Sequence, residues 1–110
     1  MRSSPANVLT GEILRFLFEN GIFAFRCNST GIWDARKGIF RPAAKKGLPD
    51  ILSILPPHGR LIGWEVKIGK DALRPEQKGF IKSAQLMGAD VLVVRSLRDF
   101  LTQFEKLRFV

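Results

Sequence analysis

Apolar residues recur at helical spacing in three stretches of the chain, residues 4–21, 75–88 and 96–107, which predicts three amphipathic helices. Ser4 as N-cap and Pro5 at the first helical position mark the start of the first helix. The predicted buried faces carry Val8, Leu9, Ile13, Phe16 and Leu17 in the first helix, Gln77, Phe80, Ile81, Ala84 and Met87 in the second, and Phe100, Leu101, Phe104 and Leu107 in the third.

Shorter apolar runs between these helices predict four strands, at residues 22–27, 51–55, 61–66 and 91–94. A Pro-Pro-His-Gly-Arg turn separates the second and third runs, which is typical of a β-hairpin. The strand-helix-strand passage that follows is typical of a parallel crossover on a mixed sheet. The predicted order α-β-β-β-α-β-α belongs to the α/β class, and a length of 110 residues predicts one domain over residues 1–110.

The predicted hairpin brings charged side chains together. Asp50 directly precedes its first strand, and Glu65 and Lys67 lie at the end of its second strand. Residues two apart on a strand face the same side, so Glu65 and Lys67 point the same way. We therefore expect two carboxylates and an ammonium to converge beside the sheet. An Asp that caps a strand and a surface Glu–Lys pair are the alternative that the spacing leaves open.

Two further polar residues lie on the predicted apolar faces of helices. Glu12 is one turn from Phe16, on or beside the buried face of the first helix. It is either a boundary residue whose carboxylate reaches water or a third acid that points into the site. Gln77 lies at the open end of the second helix, one short loop after the Glu65 strand. It is either an ordinary first-turn residue or part of the same site.

Two facing carboxylates repel each other unless a cation lies between them. Mg²⁺ prefers carboxylate oxygens, and the Val66 carbonyl could supply one more ligand beside Asp50 and Glu65. Such an ion lowers the pKa of bound water and polarises phosphate oxygens. Lys67 would then stabilise the charge that develops at a scissile phosphate or help to position the nucleophile. These residues predict a metal-dependent site for a phosphoryl substrate.

The charge of the chain favours a polyanionic partner. Eighteen Lys and Arg residues against ten Asp and Glu residues give a net charge of +8, and nucleic acid is the commonest partner of a small basic domain. A basic, solvated surface is the alternative. The single cysteine, Cys27, excludes an internal disulfide and a cysteine-based zinc cluster. No apolar run approaches the roughly 18 residues that cross a bilayer, and no signal peptide is recognisable, so we expect an intracellular, cytoplasmic protein.

Residues 28–46 are predicted to form a long irregular stretch, in which cations alternate with the aromatic residues Trp33 and Phe40. This mixture suits phosphate contacts and base stacking, although the two aromatic residues could instead anchor a solvated loop. With the cations nearby, the candidate DNA-binding residues are Arg26, Asn28, Arg36, Lys37, Arg41, Lys45, Lys46, Lys70 and Lys78.

Taken together, these motifs resemble the VRR-NUC (virus-type replication-repair nuclease) domains of the PD-(D/E)xK nuclease superfamily. The matching segments are Gly-Leu-Pro-Asp-Ile at 47–51, Gly-Trp-Glu-Val-Lys at 63–67 and Leu-Arg-Pro-Glu-Gln at 73–77. Phe80, Gly88, Glu12 and the Arg-Cys-Asn segment at 26–28 also fit, so the resemblance covers nearly the whole chain.

The resemblance implies a restriction-endonuclease-like core, a mixed central sheet flanked by helices, and an endodeoxyribonuclease that uses Mg²⁺ or Mn²⁺. It assigns metal binding to Asp50 and Glu65, catalytic assistance to Lys67, and completion of the site to Glu12 and Gln77. It also implies homodimers that act on branched DNA such as four-way junctions, in a phage or mobile-element setting. Because the chain is close to the bare core, we expect structure-directed rather than sequence-specific cutting. The alternative is a non-catalytic nucleic-acid-binding module that keeps the fold.

Overall fold

The computed structural model describes residues 4–27, 32–41 and 46–107, and in these ranges the chain forms three helices and six strands. None of these helices is long and apolar enough to cross a membrane. In chain order the elements are α1 (Pro5–Glu19), β1 (Phe23–Arg26), β2 (Ile32–Asp34), β3 (Ile39–Arg41), β4 (Ile51–Leu55), β5 (Arg60–Val66), α2 (Pro75–Leu86), β6 (Asp90–Val94) and α3 (Leu97–Leu107).

A four-stranded mixed sheet forms the centre of the molecule, with strand order β1-β4-β5-β6. β4 is antiparallel to β1 and to β5, whereas β5 and β6 are parallel. The predicted hairpin is therefore β4–β5, and the predicted parallel crossover is β5–α2–β6. The prediction of an α/β fold with a mixed sheet and flanking helices is confirmed.

The prediction that residues 28–46 are irregular throughout is wrong. Within this stretch β2 and β3 pair as a separate antiparallel hairpin, with Trp33 opposite Phe40. Each strand has only three residues, which is too short for a periodic pattern to stand out in the sequence.

The helices cover opposite faces of the central sheet. Successive residues of β5 point to opposite sides, so the contacts of Trp64 and Glu65 show which helix lies on which face. Trp64 is fully buried and meets Phe100 of α3 with ring centroids 4.7 Å apart. Its neighbour Glu65 bonds to Gln77 of α2. The apolar core, which also includes Ile13 and other residues of α1, therefore lies on the side of α1 and α3, and the acidic side chain lies on the side of α2.

The first helix begins at its predicted N-cap, Ser4, and a serine also precedes α3. Ser4 Oγ accepts a bond from Asn7 N (3.2 Å), and Ser96 Oγ accepts one from Asp99 N (3.0 Å). Some predicted buried positions are wrong: the exposed fraction is 50% for Val8, 85% for Met87 and 38% for Leu101. Met87 is the C-cap of α2, beyond the last helical turn. Val8 and Leu101 lie at the edges of their apolar stripes, where the sheet does not cover them.

Candidate active site

Asp50 and Glu65 are neighbours across two strands. Ile51 is opposite Trp64 in the β4–β5 register, so the next pair along is Asp50 with Glu65, on one face of the sheet. Asp50 Oδ2 accepts a hydrogen bond from Val66 N at 2.7 Å. Its carbonyl accepts one from Cys27 N at 2.8 Å. Asp50 is therefore held from both sides, its carboxylate by β5 and its backbone carbonyl by Cys27 directly after β1.

Gln77 is delivered to the same site by the first turn of α2. Its side chain is 3% exposed, and its Nε2 donates to Glu65 Oε1 at 3.1 Å. Its Oε1 accepts from the backbone N–H of Arg74 at 2.8 Å. Because the amide oxygen is occupied by this helix-capping bond, the amide nitrogen must face Glu65. The helix start thus orients the Glu65 carboxyl group.

Lys67 lies on the same face, two residues beyond Glu65, and only 6% of it is exposed. Its backbone N–H donates to Val94 O at 3.0 Å, which continues the pairing of β5 with β6. The Lys67 ammonium is close enough to Glu65 to lower the pKa of that carboxyl group. The predicted grouping of Asp50, Glu65, Lys67 and Gln77 is therefore present in the fold.

The electrostatics of the site centre on Glu65, which is 2% exposed. Burial, the hydrogen bond with Asp50 and the negative charge of Asp50 raise the pKa of Glu65 to about 8, and the charges of Lys67 and Arg74 offset part of that rise. At neutral pH and without a cation, Glu65 is therefore mostly protonated and shares its proton with Asp50. Burial and Asp50 also raise the pKa of the Cys27 thiol.

Two glycines allow the approach of the segments that carry these residues. Gly47 has φ +81°, and a Cβ there would lie 2.1 Å from the carbonyl oxygen of Glu76 in α2. A Cβ at Gly63 would lie 2.8 Å from Cγ of Pro49. The chain before Asp50 therefore packs directly against the start of α2 and against β5, which explains glycine at both positions in physical terms.

The donor set suits a hard divalent cation. Two adjacent carboxyl groups that share a proton offer oxygen ligands whose mutual repulsion a cation relieves. In the described ranges no three His, Cys, Asp or Glu side chains form a group that could hold a metal. A cation here would therefore rest on Asp50 and Glu65 and complete its coordination with water or other oxygen atoms, as Mg²⁺ commonly does.

Glu12 does not join this pair. It is exposed on α1, where Leu9, Ile13 and Leu17 form the buried stripe. Of the two alternatives for Glu12, the structure shows the boundary residue, because its position lies beside this stripe and its side chain is exposed. At this end of the sheet, Asn7 of α1 accepts a hydrogen bond from Arg26 through its Oδ1. Glu12 is therefore left out of the candidate metal site.

Seven of the nine candidate DNA-binding residues lie within the described ranges, and all seven are cations. The side chains of Arg26, Arg36, Lys37, Arg41, Lys46, Lys70 and Lys78 are exposed. Asn28 and Lys45 lie outside the described residues. Arg41 pairs with Asp34 at 2.9 Å, and Arg26 bonds to Asn7. The other five cations remain the most accessible candidates for phosphate contacts.

One residue near the site was not predicted from the sequence. Arg74 is the N-cap of α2, and its charge lowers the pKa of Glu65. In sequence it is one of two cations, with Lys70, in the loop at residues 68–74 before Pro75. Its place immediately before the helix that carries Gln77 is the signal that could have identified it.

Comparison of the chain with protein-family models, curated proteins and solved structures gives no match. The candidate activity therefore rests on the residues and the geometry described above.

Proposed function

We propose that the protein is a divalent-metal-dependent endodeoxyribonuclease with a restriction-endonuclease-like core, of the VRR-NUC type in the PD-(D/E)xK superfamily. The observation that carries the proposal is the pair of carboxyl groups of buried Glu65 and half-buried Asp50, with Lys67 and Gln77 beside it. A buried acid with a strongly raised pKa next to a second acid is typical of a functional site.

Asp50, Glu65 and the Val66 carbonyl are the groups that would bind Mg²⁺ or Mn²⁺. When bound, such an ion polarises a phosphate oxygen and makes water more acidic. The Val66 N–H orients Asp50, and the Gln77 amide orients Glu65, so both carboxyl groups are preorganised. These two hydrogen bonds support a site that needs little rearrangement to bind a cation.

Lys67 supplies the positive charge that phosphodiester hydrolysis requires. It is almost fully buried beside Glu65, where the low local dielectric strengthens its interaction with an anionic phosphate. Its ammonium would stabilise the negative charge that develops on the phosphoryl oxygens during attack by water. Lys67 is therefore the proposed catalytic residue of the chain itself.

DNA is the proposed substrate because the chain is basic around this site. The net charge is +8, and three exposed lysines lie close in sequence to the site residues: Lys46 before Asp50, Lys70 after Lys67, and Lys78 next to Gln77. Cations at these positions would contact the phosphates that flank a scissile bond.

The test is a cleavage assay on linear duplex, supercoiled plasmid and a four-way junction, with Mn²⁺, with Mg²⁺ and with chelator. We expect metal-dependent cutting that is lost in Glu65→Gln and in Lys67→Ala. Glu19→Gln, which changes an exposed acid of α1, should cut normally. Cutting that survives both site substitutions would refute the proposal. DNA binding without any cutting would instead identify a non-catalytic nucleic-acid-binding module.

The same assay tests the structure-directed preference. We propose that branched DNA is cut faster than plain duplex, as the resemblance implies. Equal rates on the junction and on the duplex would remove this preference and leave the nuclease activity unaffected.

We also propose that the chain acts as a homodimer. Phe23, Ile54 and Leu61 form a cross-strand row on the acid-bearing face of the sheet and are 66%, 41% and 39% exposed, and such apolar rows commonly mark interfaces. Sedimentation at micromolar concentration should give a dimer that Ile54→Lys dissociates and Phe18→Lys, on the exposed side of α1, does not. Monomer alone in the wild type would contradict the dimer.

A further inference from the structure

The β2–β3 hairpin exposes two aromatic residues on one face. Trp33 is paired with Phe40 across the two strands, and directly opposite residues project on the same side. The exposed fraction is 60% for Trp33 and 58% for Phe40. The aromatic residues therefore do not anchor the segment as a buried core, which was the alternative left open by the sequence. Two large flat apolar surfaces in water are a cost to the free protein that a ligand could offset.

The charge of the hairpin is positive on its outer surface. Asp34, its single acid, accepts bonds through Oδ1 from the backbone N–H groups of Arg36 (3.0 Å) and Lys37 (3.3 Å). Its Oδ2 pairs with Arg41 Nε at 2.9 Å. The acid is thus used to fix the turn and Arg41, while the side chains of Arg36 and Lys37 extend from the turn into solvent. The aromatic face is therefore accompanied by cations at the tip.

The described residues that flank the hairpin segment on either side, Cys27 and Gly47, both contact the candidate active site. Cys27 donates its N–H to Asp50 O, and Gly47 packs against Glu76, the neighbour of Gln77. Five peptide bonds separate Cys27 from Ile32, and such a segment spans at most roughly 18 Å. Ile32 at the hairpin base is therefore within roughly 18 Å of Cys27, whose N–H contacts the backbone of Asp50, so one strand of DNA could reach both the hairpin and the site.

We propose that the Trp33–Phe40 face is a stacking platform for unpaired bases of a DNA substrate, with Arg36 and Lys37 on the adjacent phosphates. The proposal rests on the proposed function for the identity of the ligand as DNA. Flat aromatic faces beside cations suit bases whose own faces are free. In a duplex the bases are stacked on each other, so this platform selects single-stranded or branched DNA near the cleavage site.

Tryptophan fluorescence provides a direct test, because Trp64 is fully buried and Trp33 is the exposed one. With chelator present, the protein is titrated with a thymine oligonucleotide, an abasic oligonucleotide of the same length and a blunt duplex. We expect strong quenching by the thymine strand and little by the other two. Trp33→Ala should abolish the quenching, and the remaining Trp64 emission then reports that the fold is intact.

Affinity for the thymine strand should fall about 5- to 150-fold in Trp33→Ala and in Phe40→Ala, as expected for the loss of one stacked base. Trp33→Phe should retain most of the affinity. Phe18→Ala removes an aromatic residue that is 82% exposed on α1 and should leave the affinity unchanged. Equal binding of the abasic strand, or no loss in Trp33→Ala, would overturn the proposal.

Failure of this proposal is distinguishable from failure of the nuclease proposal. Suppose that the thymine strand quenches Trp33 in Glu65→Gln and that the wild type cuts no DNA. The quenching would then support the platform, and the absence of cutting would refute the nuclease. Metal-dependent cutting of junctions by Trp33→Ala at the wild-type rate would support the nuclease and refute the platform. Trp33 quenching that grows with protein concentration in the absence of DNA would overturn the platform and assign this face to a second copy of the chain.

Discussion

At the scale of single residues, Glu65 decides what the site can do. Its carboxyl group is buried beside a second acid, and its pKa rises from 4.5 to about 8. A proton, a cation or the Lys67 ammonium must balance the charge of this pair. If the site binds a metal as proposed, binding and release of the proton are linked, and its affinity for the cation should rise with pH.

The raised pKa predicts how the stability of the metal-free protein depends on pH. The folded state keeps the Glu65 proton up to about pH 8, whereas the unfolded chain loses it near 4.5. The stabilisation is therefore complete below pH 4.5 and is lost as the pH rises to 8. Urea unfolding in chelator should show Glu65→Gln close to wild type at pH 5, and more stable at pH 8 by several kcal/mol, at most about 5. A difference that is the same at both pH values would show that Glu65 ionises freely in the fold.

Gln77 acts through Glu65, so its loss should affect metal affinity before it affects the fold. In Gln77→Ala the Glu65 carboxyl loses its orienting donor, and we expect the Mn²⁺ concentration for half-maximal cutting to rise about 10- to 100-fold. Saturating Mn²⁺ should restore most of the rate. Gln85→Ala, on the exposed part of α2, is the matched control. A loss of rate that no Mn²⁺ concentration restores would give Gln77 a direct catalytic role instead.

At the scale of elements, the site depends on how closely the segment before β4 packs on α2. Gly47→Ala combines a positive φ with a Cβ only 2.1 Å from Glu76 O, and we expect a loss of about 2–4 kcal/mol in unfolding free energy. Gly59→Ala has a similar φ of +72° but open space around it, and should cost only about 1–2 kcal/mol. Equal losses of unfolding free energy in the two variants, measured by urea unfolding, would show that the close contact of Gly47 with α2 adds no cost of its own.

Much of the site was predictable because it follows from regular geometry. The period of two along β4 and β5 places Asp50 beside Glu65, and the short loop before α2 places Gln77 against them. Arg74 was missed, because its distance from Glu65 depends on the path of an irregular loop and only its place immediately before the Gln77 helix pointed to it. The sequence left two alternatives open for Glu12, because a position one step beside an apolar stripe is exposed or buried according to what covers that side of the helix.

The same distinction applies to whole elements of the fold. Strands of five or seven residues with turn signals, such as β4 and β5, were found within a residue of their ends. The β2–β3 hairpin was missed because its stability comes from cross-strand pairing and from the bonds of Asp34 rather than from a periodic pattern.

At the scale of the whole molecule, the charge of +8 predicts a steep salt dependence of DNA binding. Each exposed lysine that contacts a phosphate contributes about one unit to the slope of log affinity against log salt. We expect Lys70→Gln and Lys78→Gln each to lower that slope by about one, measured on a junction in chelator. Lys82→Gln, on the next turn of α2, is the comparison. Unchanged slopes in both Lys70→Gln and Lys78→Gln would show that the DNA does not contact this edge of the sheet.

The central claim is that Asp50 and Glu65 together bind the divalent cation that DNA cleavage requires. Calorimetric titration of Mn²⁺ at pH 7, in two buffers of different ionisation enthalpy, measures both the binding and the protons released. The expected result is saturable binding with release of about one proton, since Glu65 is mostly protonated at this pH. Both the binding of Mn²⁺ and the release of the proton should disappear in Asp50→Asn and in Glu65→Gln. Mn²⁺ binding that is unchanged in these variants, or that releases no proton, would contradict the claim.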